Sequence, residues 1–295
     1  MTDKNEKITL VFPAYNEEKA IGIVLDKANK VLEKSGWEYE IIVVDDGSTD
    51  NTAKIAEEKH VCVLRHQTNR GVGRARKTGI KAATGSIIIM SDADDTYPLE
   101  EIPELLELSS QYDMVIGARK IESGTMRPLR SFAKWFIRTL ASFVSAQKII
   151  DLNSGMRLFR KKTAMKFFNI LPNGHSWVST ITLAYLCNGY TVGYHPIDYF
   201  ERKGISTFHP IKDTATYLVL VIRTIMFFNP LKFFFPLSVV LYVFGLTKLI
   251  YDWRILRDIR ESDIMIVIVG VLVAALGFLA DLIVKQHQHQ YLDME

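Results

Sequence analysis

Ile87-Ile88-Ile89-Met90-Ser91-Asp92-Ala93-Asp94-Asp95-Thr96-Tyr97-Pro98 is the stretch around which the rest of this chain falls into place. The run Ser86–Met90 is short, apolar and β-branched, which predicts a buried strand. Three carboxylates, Asp92, Asp94 and Asp95, stand where that strand should end. Open α/β sheets bind ligands outside the carboxyl ends of their strands. Asp92 and Asp94 flank Ala93, a spacing that lets two carboxylates reach one hard divalent cation. Such an ion takes oxygen ligands and bridges to phosphates rather than sitting in an all-protein cage. The plainer alternative is a polar turn, because Asp is common in turns and caps.

Upstream, the pattern repeats. Ile8–Phe12 predicts a first strand ended by Pro13, and Pro13-Ala14-Tyr15-Asn16-Glu17-Glu18 predicts a turn opening a helix to about Ser35. Apolar Ala20, Ile21, Val24, Leu25, Ala28, Val31 and Leu32 recur at helical spacing. Glu40–Val44 predicts a strand followed by Asp45-Asp46-Gly47-Ser48-Thr49-Asp50, then a helix over 51–59 and a strand over 61–65. Arg70–Thr84 predicts a loop and helix leading into the strand at Ile87. This β-α-β-α-β-α-β order predicts a parallel, doubly wound sheet with right-handed crossovers. Tyr15–Glu18, Asp45–Asp50 and Asp92–Asp95 then share one crevice at neighbouring strand ends. A crevice of carboxylates needs a cation, and the cation needs a ligand with phosphates.

Gly71-Val72-Gly73 is not a dinucleotide fingerprint, because Gly79 falls too late. It predicts a tight turn before a helix, or a place where Arg70, Arg74 and backbone N–H groups meet phosphate. Further on, 103–109 predicts a helix and 114–117 a strand. Met126–Lys148 mixes Arg127, Arg130, Lys134 and Arg138 with Phe132, Trp135 and Phe136. It predicts a basic amphipathic helix, over about 127–147, lying on a membrane surface or packed on the domain. Asp151–Arg160 enters a strand, a helix begins near Ser176, and 191–196 predicts a last strand. Glu201-Arg202-Lys203-Gly204-Ile205-Ser206 is a polar loop that either closes over the crevice or flanks the membrane.

The 295 residues suffice for a domain of about 200 residues and a further part. A net charge of +3, with no long basic stripe, argues against nucleic acid. Cys62 and Cys187 have neither metal spacing nor a disulfide framework, which suits a reducing compartment. Leu231–Tyr251 and Ile264–Val284 are nearly all apolar and are each long enough to span a bilayer. The alternative is a buried hairpin of a soluble protein. The start lacks the apolar stretch of a signal peptide, which predicts a cytosolic catalytic domain (1–212). Residues 213–230 predict a juxtamembrane interfacial helix before the two spans.

Taken together, Val11-Phe12-Pro13-Ala14-Tyr15-Asn16-Glu17, Val43-Val44-Asp45-Asp46-Gly47-Ser48-Thr49-Asp50 and Asp92-Ala93-Asp94 resemble a family 2 glycosyltransferase of the GT-A fold. Within that family, Asp151–Arg160, Glu201–Ser206 and the two apolar stretches resemble the dolichyl- or undecaprenyl-phosphate sugar transferases. The resemblance implies roles at matching positions. Pro13, Tyr15, Glu17 and Ala93 line the nucleotide pocket, and Asp45 or Asp46 contacts the base, with Asp46 favoured slightly. Asp92 and Asp94 hold Mn²⁺ or Mg²⁺ against the diphosphate. Arg119, Arg127 and Arg130 lie where relatives hold the lipid phosphate, and Arg202 sits in the loop that closes on the donor. The family's Asp-Ala-Asp-Leu-Gln reads Asp-Ala-Asp-Asp-Thr here, so the sugar contacts at Asp95 and Thr96 stay open. A homo-oligomer stays open too.

The implied reaction moves a sugar from a nucleotide-diphosphate sugar, UDP-linked by preference and GDP-mannose otherwise, to a polyprenyl phosphate. A divalent ion and a base such as Arg202 neutralise the leaving group. An alcohol acceptor needs a general base as well. The Glu-Asp and Gln-x-x-Arg-Trp sequences that processive relatives carry do not occur in this chain. A phosphate acceptor is already ionised, with a second pKa of about 6. Were a base needed, Asp95 and Asp151 are the candidates. Transfer to a lipid or polysaccharide hydroxyl is the competing enzyme, and an inactive membrane scaffold is the competing class.

Overall fold

The structure, a computed structural model, describes residues 6–120, 149–200 and 229–292, with isolated positions at 139, 142 and 226. It divides into two compact units, and the described part of the first is a seven-stranded sheet flanked by helices. The strands are β1 (Ile8–Ala14), β2 (Tyr39–Asp45), β3 (Cys62–Arg65), β4 (Ile87–Met90), β5 (Met114–Arg119), β6 (Arg157–Arg160) and β7 (Val192–Ile197). Between them lie α1 (Ile21–Ser35), α2 (Thr52–Glu57), α3 (Val72–Ala82), α4 (Ile102–Leu108), α5 (Lys161–Lys166) and α6 (Trp177–Cys187).

The sheet order is β3-β2-β1-β4-β6-β5-β7. The first four strands in that order pair in parallel, as the alternating pattern predicts. β4 is buried along its whole length, which is why it reads as an unbroken apolar run. Each such aliphatic side chain taken from water contributes about 1.5–3 kcal/mol. Val11 of β1 lies between Ile42 and Met90, so β2 and β4 flank the central strand in register. α3 presses against β1 and β2 through Gly79, where a Cβ would stand 2.4 Å from Val11 Cγ1.

Two details differ from the sequence-based expectation. Pro13 does not end the first strand: β1 continues to Ala14, with Pro13 opposite Val44. The β4 ladder stops at Val11, so Pro13 has no partner strand on that side to miss its N–H. The second is β6. It runs antiparallel to both β4 and β5, and so separates the parallel β5–β7 pair from the rest. That wedge is a long-range pairing that local periodicity does not report.

Residues 229–292 form an antiparallel-reading hairpin of α7 (Leu231–Ile255) and α8 (Glu261–Leu292) in the second unit. Both helices are long and apolar enough to cross a membrane. Their apolar side chains point outward; Val240 is 64% and Leu282 65% exposed, unlike the core hairpin of a soluble protein. The connection is shorter than the predicted 252–263, because charged residues join the helix ends. Lys248 on α7 ion-pairs with Asp252 at 3.1 Å and with Asp263 on α8. Gly270 lets α8 approach α7 so closely that a Cβ would stand 3.0 Å from Tyr242 N. The predicted helices at 127–147 and 213–230 lie outside the described residues, apart from positions 139, 142, 226, 229 and 230.

Candidate active site

Loops from three parallel strands meet at their carboxyl ends, and hydrogen bonds stitch two of them together. Asn16 N donates to Ser48 Oγ at 2.9 Å and Glu17 N to Thr52 Oγ1 at 2.8 Å. In return, Asn16 Oδ1 accepts from Thr49 N at 2.9 Å, and Asp50 Oδ2 accepts from Glu18 N at 3.2 Å. The turn after β1 is therefore held against the turn after β2. Pro13 is buried beneath it, while Tyr15 stands 40% exposed on its rim.

Asp45 and Asp46, adjacent in sequence, have different surroundings. Asp46 is filled: His66 Nδ1 is 2.6 Å away, and the N–H groups of Arg70 and Gly71 donate at 3.0 and 2.8 Å. Because a carboxylate accepts, the shared proton lies on Nδ1, and His66 Nε2 then faces Thr78 Oγ1 at 3.0 Å. Asp45 is fully buried, and its Oδ1 accepts from Ser48 N at 3.1 Å. Its Oδ2 has no hydrogen-bond partner among the described residues; Arg65 Nε lies 3.4 Å away without the alignment of a bond. A buried carboxylate oxygen left open is costly unless a donor arrives.

β4 delivers Asp92 and Asp94. Asp94, 7% exposed, accepts from Thr96 Oγ1 at 2.6 Å. Asp92 Oδ1 accepts from Arg76 Nη2 at 2.8 Å, and its side chain is 31% exposed. Gly155 faces the other oxygen so closely that a Cβ would stand 2.5 Å from Asp92 Oδ2. Tyr97 OH accepts from Gly155 N at 2.7 Å and so pins that approach. Burial holds the Tyr97 hydroxyl well above its ordinary range, so it stays protonated. Ala93 is buried between the two acids. Among the described residues no three His, Cys, Asp or Glu gather as a protein-only metal cage. Two hard carboxylates, one with an oxygen toward solvent, fit an ion that completes its shell with phosphate oxygens.

Asp95 is turned the other way. It adopts φ 61° and ion-pairs with Lys27 of α1 at 2.6 Å, with its side chain 8% exposed. Asp151 is buried and ion-paired by a fork. Arg119 Nε donates to Oδ2 at 2.8 Å and Nη2 to Oδ1 at 3.0 Å. Burial alone would raise the Asp151 carboxyl, but the Arg119 bonds outweigh it and hold the group below the usual carboxylate range. An acid held that low is a weak proton acceptor.

Arg127, Arg130 and Arg202 lie outside the described residues. Phe200, two residues before Arg202, donates its N–H to the Thr96 carbonyl at 3.0 Å. The chain thus enters that loop from beside Asp94.

Two site residues escaped the sequence reading. Arg76 is 4% exposed on the buried stripe of α3, in step with Gly73 and Ile80, and its guanidinium lies 5.7 Å from the Trp177 ring centroid. A base on an apolar helix face was the available signal. Arg157 is fully buried, and donates to the carbonyls of Val178 and Ser154 and to Thr182 Oγ1. Burial, and then the charge of Arg76, push the Arg157 guanidinium down to about 10. Nothing in the local pattern marked it. A separate hollow of about 300 Å³, bordered by Ser110, Asp113, Arg160 and Thr191, lies at the amino ends of β5 and β7 and is remote from these acids.

Comparison with known proteins matches the sequence to a family. Residues 9–168 match the model of Glycosyl transferase family 2, and residues 229–285 match that of the GtrB C-terminal hairpin. A dolichyl-phosphate hexose transferase of Haloferax volcanii is 30% identical over 212 residues, covering 71% of this chain and 90% of that protein. An undecaprenyl-phosphate 4-deoxy-4-formamido-L-arabinose transferase of Proteus mirabilis is 36% identical over 151 residues, covering 49% of this chain and 44% of that protein. In fold, the chain is similar to the glucosyl-3-phosphoglycerate synthase of Mycobacterium tuberculosis solved with Mn²⁺, UDP and glucosyl-3-phosphoglycerate. The TM-score is 0.60 at 18% identity, covering 74% of this chain and 80% of that one. With the family's sheet, its acidic strand ends and its matched C-terminal hairpin in one sequence, the chain belongs to glycosyl transferase family 2.

Proposed function

We propose that this protein transfers a sugar from a nucleotide-diphosphate sugar to a polyprenyl phosphate, giving a polyprenyl-monophosphate sugar at a membrane surface. The observation that carries this reading is the pair Asp92 and Asp94 at the end of β4, in a chain whose C-terminus matches the GtrB hairpin. The two carboxylates would hold Mn²⁺ or Mg²⁺, which would supply positive charge to offset that of the departing nucleotide. Asp45 takes the base, since its open Oδ2 suits an N–H donor, while Asp46 is occupied in shaping the loop before α3. Pro13, Tyr15 and Glu17 frame the nucleotide.

Arg202 supplies positive charge to the donor phosphates. Arg127 and Arg130, on a basic segment rich in aromatics, bind the acceptor phosphate. Arg119, at the start of that stretch of sequence, forks onto Asp151 at its end. The acceptor oxygen carries its own negative charge near neutral pH, so the weak basicity of Asp151 is no obstacle. Polyprenyl phosphates of the dolichyl and undecaprenyl type fit equally. UDP-sugars are the favoured donors, with GDP-mannose second. α7 and α8 insert in the bilayer, and the sheet domain lies on its cytosolic side.

The test uses the full chain in detergent with Mn²⁺ and a panel of UDP- and GDP-sugars. Each is offered a polyprenyl phosphate and the matching polyprenol, and products are read by mass. Sugar should appear on the phosphate with one donor preferred, and the alcohol should turn over far more slowly. Equal turnover of the alcohol would replace this reading with transfer to a hydroxyl. No transfer from any donor, with Mn²⁺ binding lost, would favour a scaffold.

A further inference from the structure

Asp92, the first acid of the pair, is held by a buried cation. Among the described residues Arg76 is its one hydrogen-bond donor, at 2.8 Å. Arg76 is fixed from behind: it is 4% exposed, and its guanidinium lies against the fully buried Trp177. Its Nε is buried without a hydrogen-bond partner among the described residues. A second cation, Arg157, is fully buried; burial first, and then the charge of Arg76, lower its proton affinity. The floor of the site therefore places positive charge directly beneath the acid expected to hold a metal.

We infer that Arg76 keeps metal affinity low until the donor's diphosphate is present, so that the ion binds with the nucleotide and leaves with it. The inference rests on the proposed metal role of Asp92 and Asp94. A divalent ion at Asp92 meets a carboxylate whose charge Arg76 already offsets, and it meets the guanidinium itself as a like charge. A diphosphate brings negative charge that reverses this balance. The two ligands are thereby coupled, and coupling is reciprocal. Arg76 is a positioning residue, since it acts through Asp92 and need not touch the substrate.

The readout is Mn²⁺ binding, followed by electron paramagnetic resonance of the detergent-solubilised full chain, alone and with UDP or GDP. The wild type should bind Mn²⁺ at least about tenfold more tightly with a nucleotide diphosphate than without, a ratio usual for coupled sites. Arg76→Met and Arg76→Gln should tighten binding of Mn²⁺ alone by about tenfold and shrink that ratio. Arg76→Lys, which keeps the charge, should hold the wild-type ratio. A purely structural role predicts the reverse, namely weaker Mn²⁺ binding in every variant.

Neutral variants that keep the wild-type thermal transition yet bind Mn²⁺ alone no more tightly overturn the inference. Should neither neutral variant fold, equal Mn²⁺ affinity of the wild type with and without nucleotide overturns it. Asp94→Asn separates the two levels. If it binds Mn²⁺ and nucleotide as the wild type does, the metal lies elsewhere and the reading of the site fails first. Failure of sugar transfer to polyprenyl phosphate leaves the Mn²⁺ readout standing.

Discussion

Arg119 and Asp151 close a two-bond ion pair across the gap where the chain leaves β5 and returns before β6, at 2.8 and 3.0 Å. The residues between them carry Arg127 and Arg130. The pair ties both ends of the basic segment to the sheet. Tyr199 lies against the same guanidinium, 5.4 Å from its ring centroid. Arg119 is thus held by Asp151 and Tyr199, and Arg127 and Arg130 are the arginines proposed to bind the acceptor phosphate.

Removing Arg119 should therefore act on stability first. Arg119→Met strands a buried carboxylate, which costs about 3 kcal/mol. For a domain of this size that is a fall of about 6–12 °C in the thermal transition. Arg127→Ala and Arg130→Ala should leave that transition in place and raise the acceptor KM, or lower kcat, by about ten- to a hundredfold. Nucleotide affinity should hold in both. Steady-state kinetics beside a melting curve distinguish these outcomes, and an unchanged transition for Arg119→Met would refute the clamp.

Asp94→Asn should reduce transfer by about a hundred- to a thousandfold, since a bound ion supplies several kcal/mol of charge stabilisation. Its thermal transition should barely move, because the amide oxygen can still accept from Thr96. EDTA should inhibit the wild type to a similar floor. Transfer at the wild-type rate, with EDTA still inhibiting, would move the metal to other ligands.

Asp45 and Asp46 should separate in their effects although they are neighbours. Asp45→Asn should raise the nucleotide Kd by about ten- to a hundredfold, the loss of one charged hydrogen bond. Asp46→Asn should instead disturb the Arg70 and Gly71 N–H contacts and His66, and so lower the thermal transition. Calorimetry with UDP and GDP, run beside melting curves, checks both. Equal nucleotide loss with no change in melting for Asp46→Asn would return the base contact to Asp46.

Stability should fall in acid through Glu40. Burial pushes its carboxyl up, but bonds from Thr9 and Thr84, with the charge of Lys7, outweigh that and lower it from 4.5 to about 2. A depressed carboxyl stabilises the fold at pH values above its unfolded value. That contribution is lost as pH falls from about 4.5 through 2. One side of Glu40 faces solvent, so the contribution is about 1–2 kcal/mol. Glu40→Gln should flatten that part of the stability–pH curve. Parallel curves for the two proteins would discard Glu40 as the source.

Much of this protein was legible in local pattern. The run Ile87–Met90 predicts β4, and helical spacing from Ala20 to Leu32 predicts α1, because burial on a regular element leaves a period in the chain. The place of Asp92 and Asp94 just past β4 was legible because the end of a parallel strand is a position that sequence order alone defines. The two apolar helices were legible from length and composition. Tertiary structure alone decided the rest. β6 pairs antiparallel with β4 across about 70 residues of chain, and no local signal encodes such a partner. Asp45 and Asp46 look alike in sequence, but Asp46 reaches the N–H groups before α3, while Asp45 Oδ2 has no hydrogen bond among the described residues. Arg76, Asp92 and Trp177 come from α3, the end of β4 and α6, so only folding places a cation beneath the acid. Propensity and periodicity act within a few turns of chain, whereas charge, burial and hydrogen bonding at this site depend on what the fold sets beside each group.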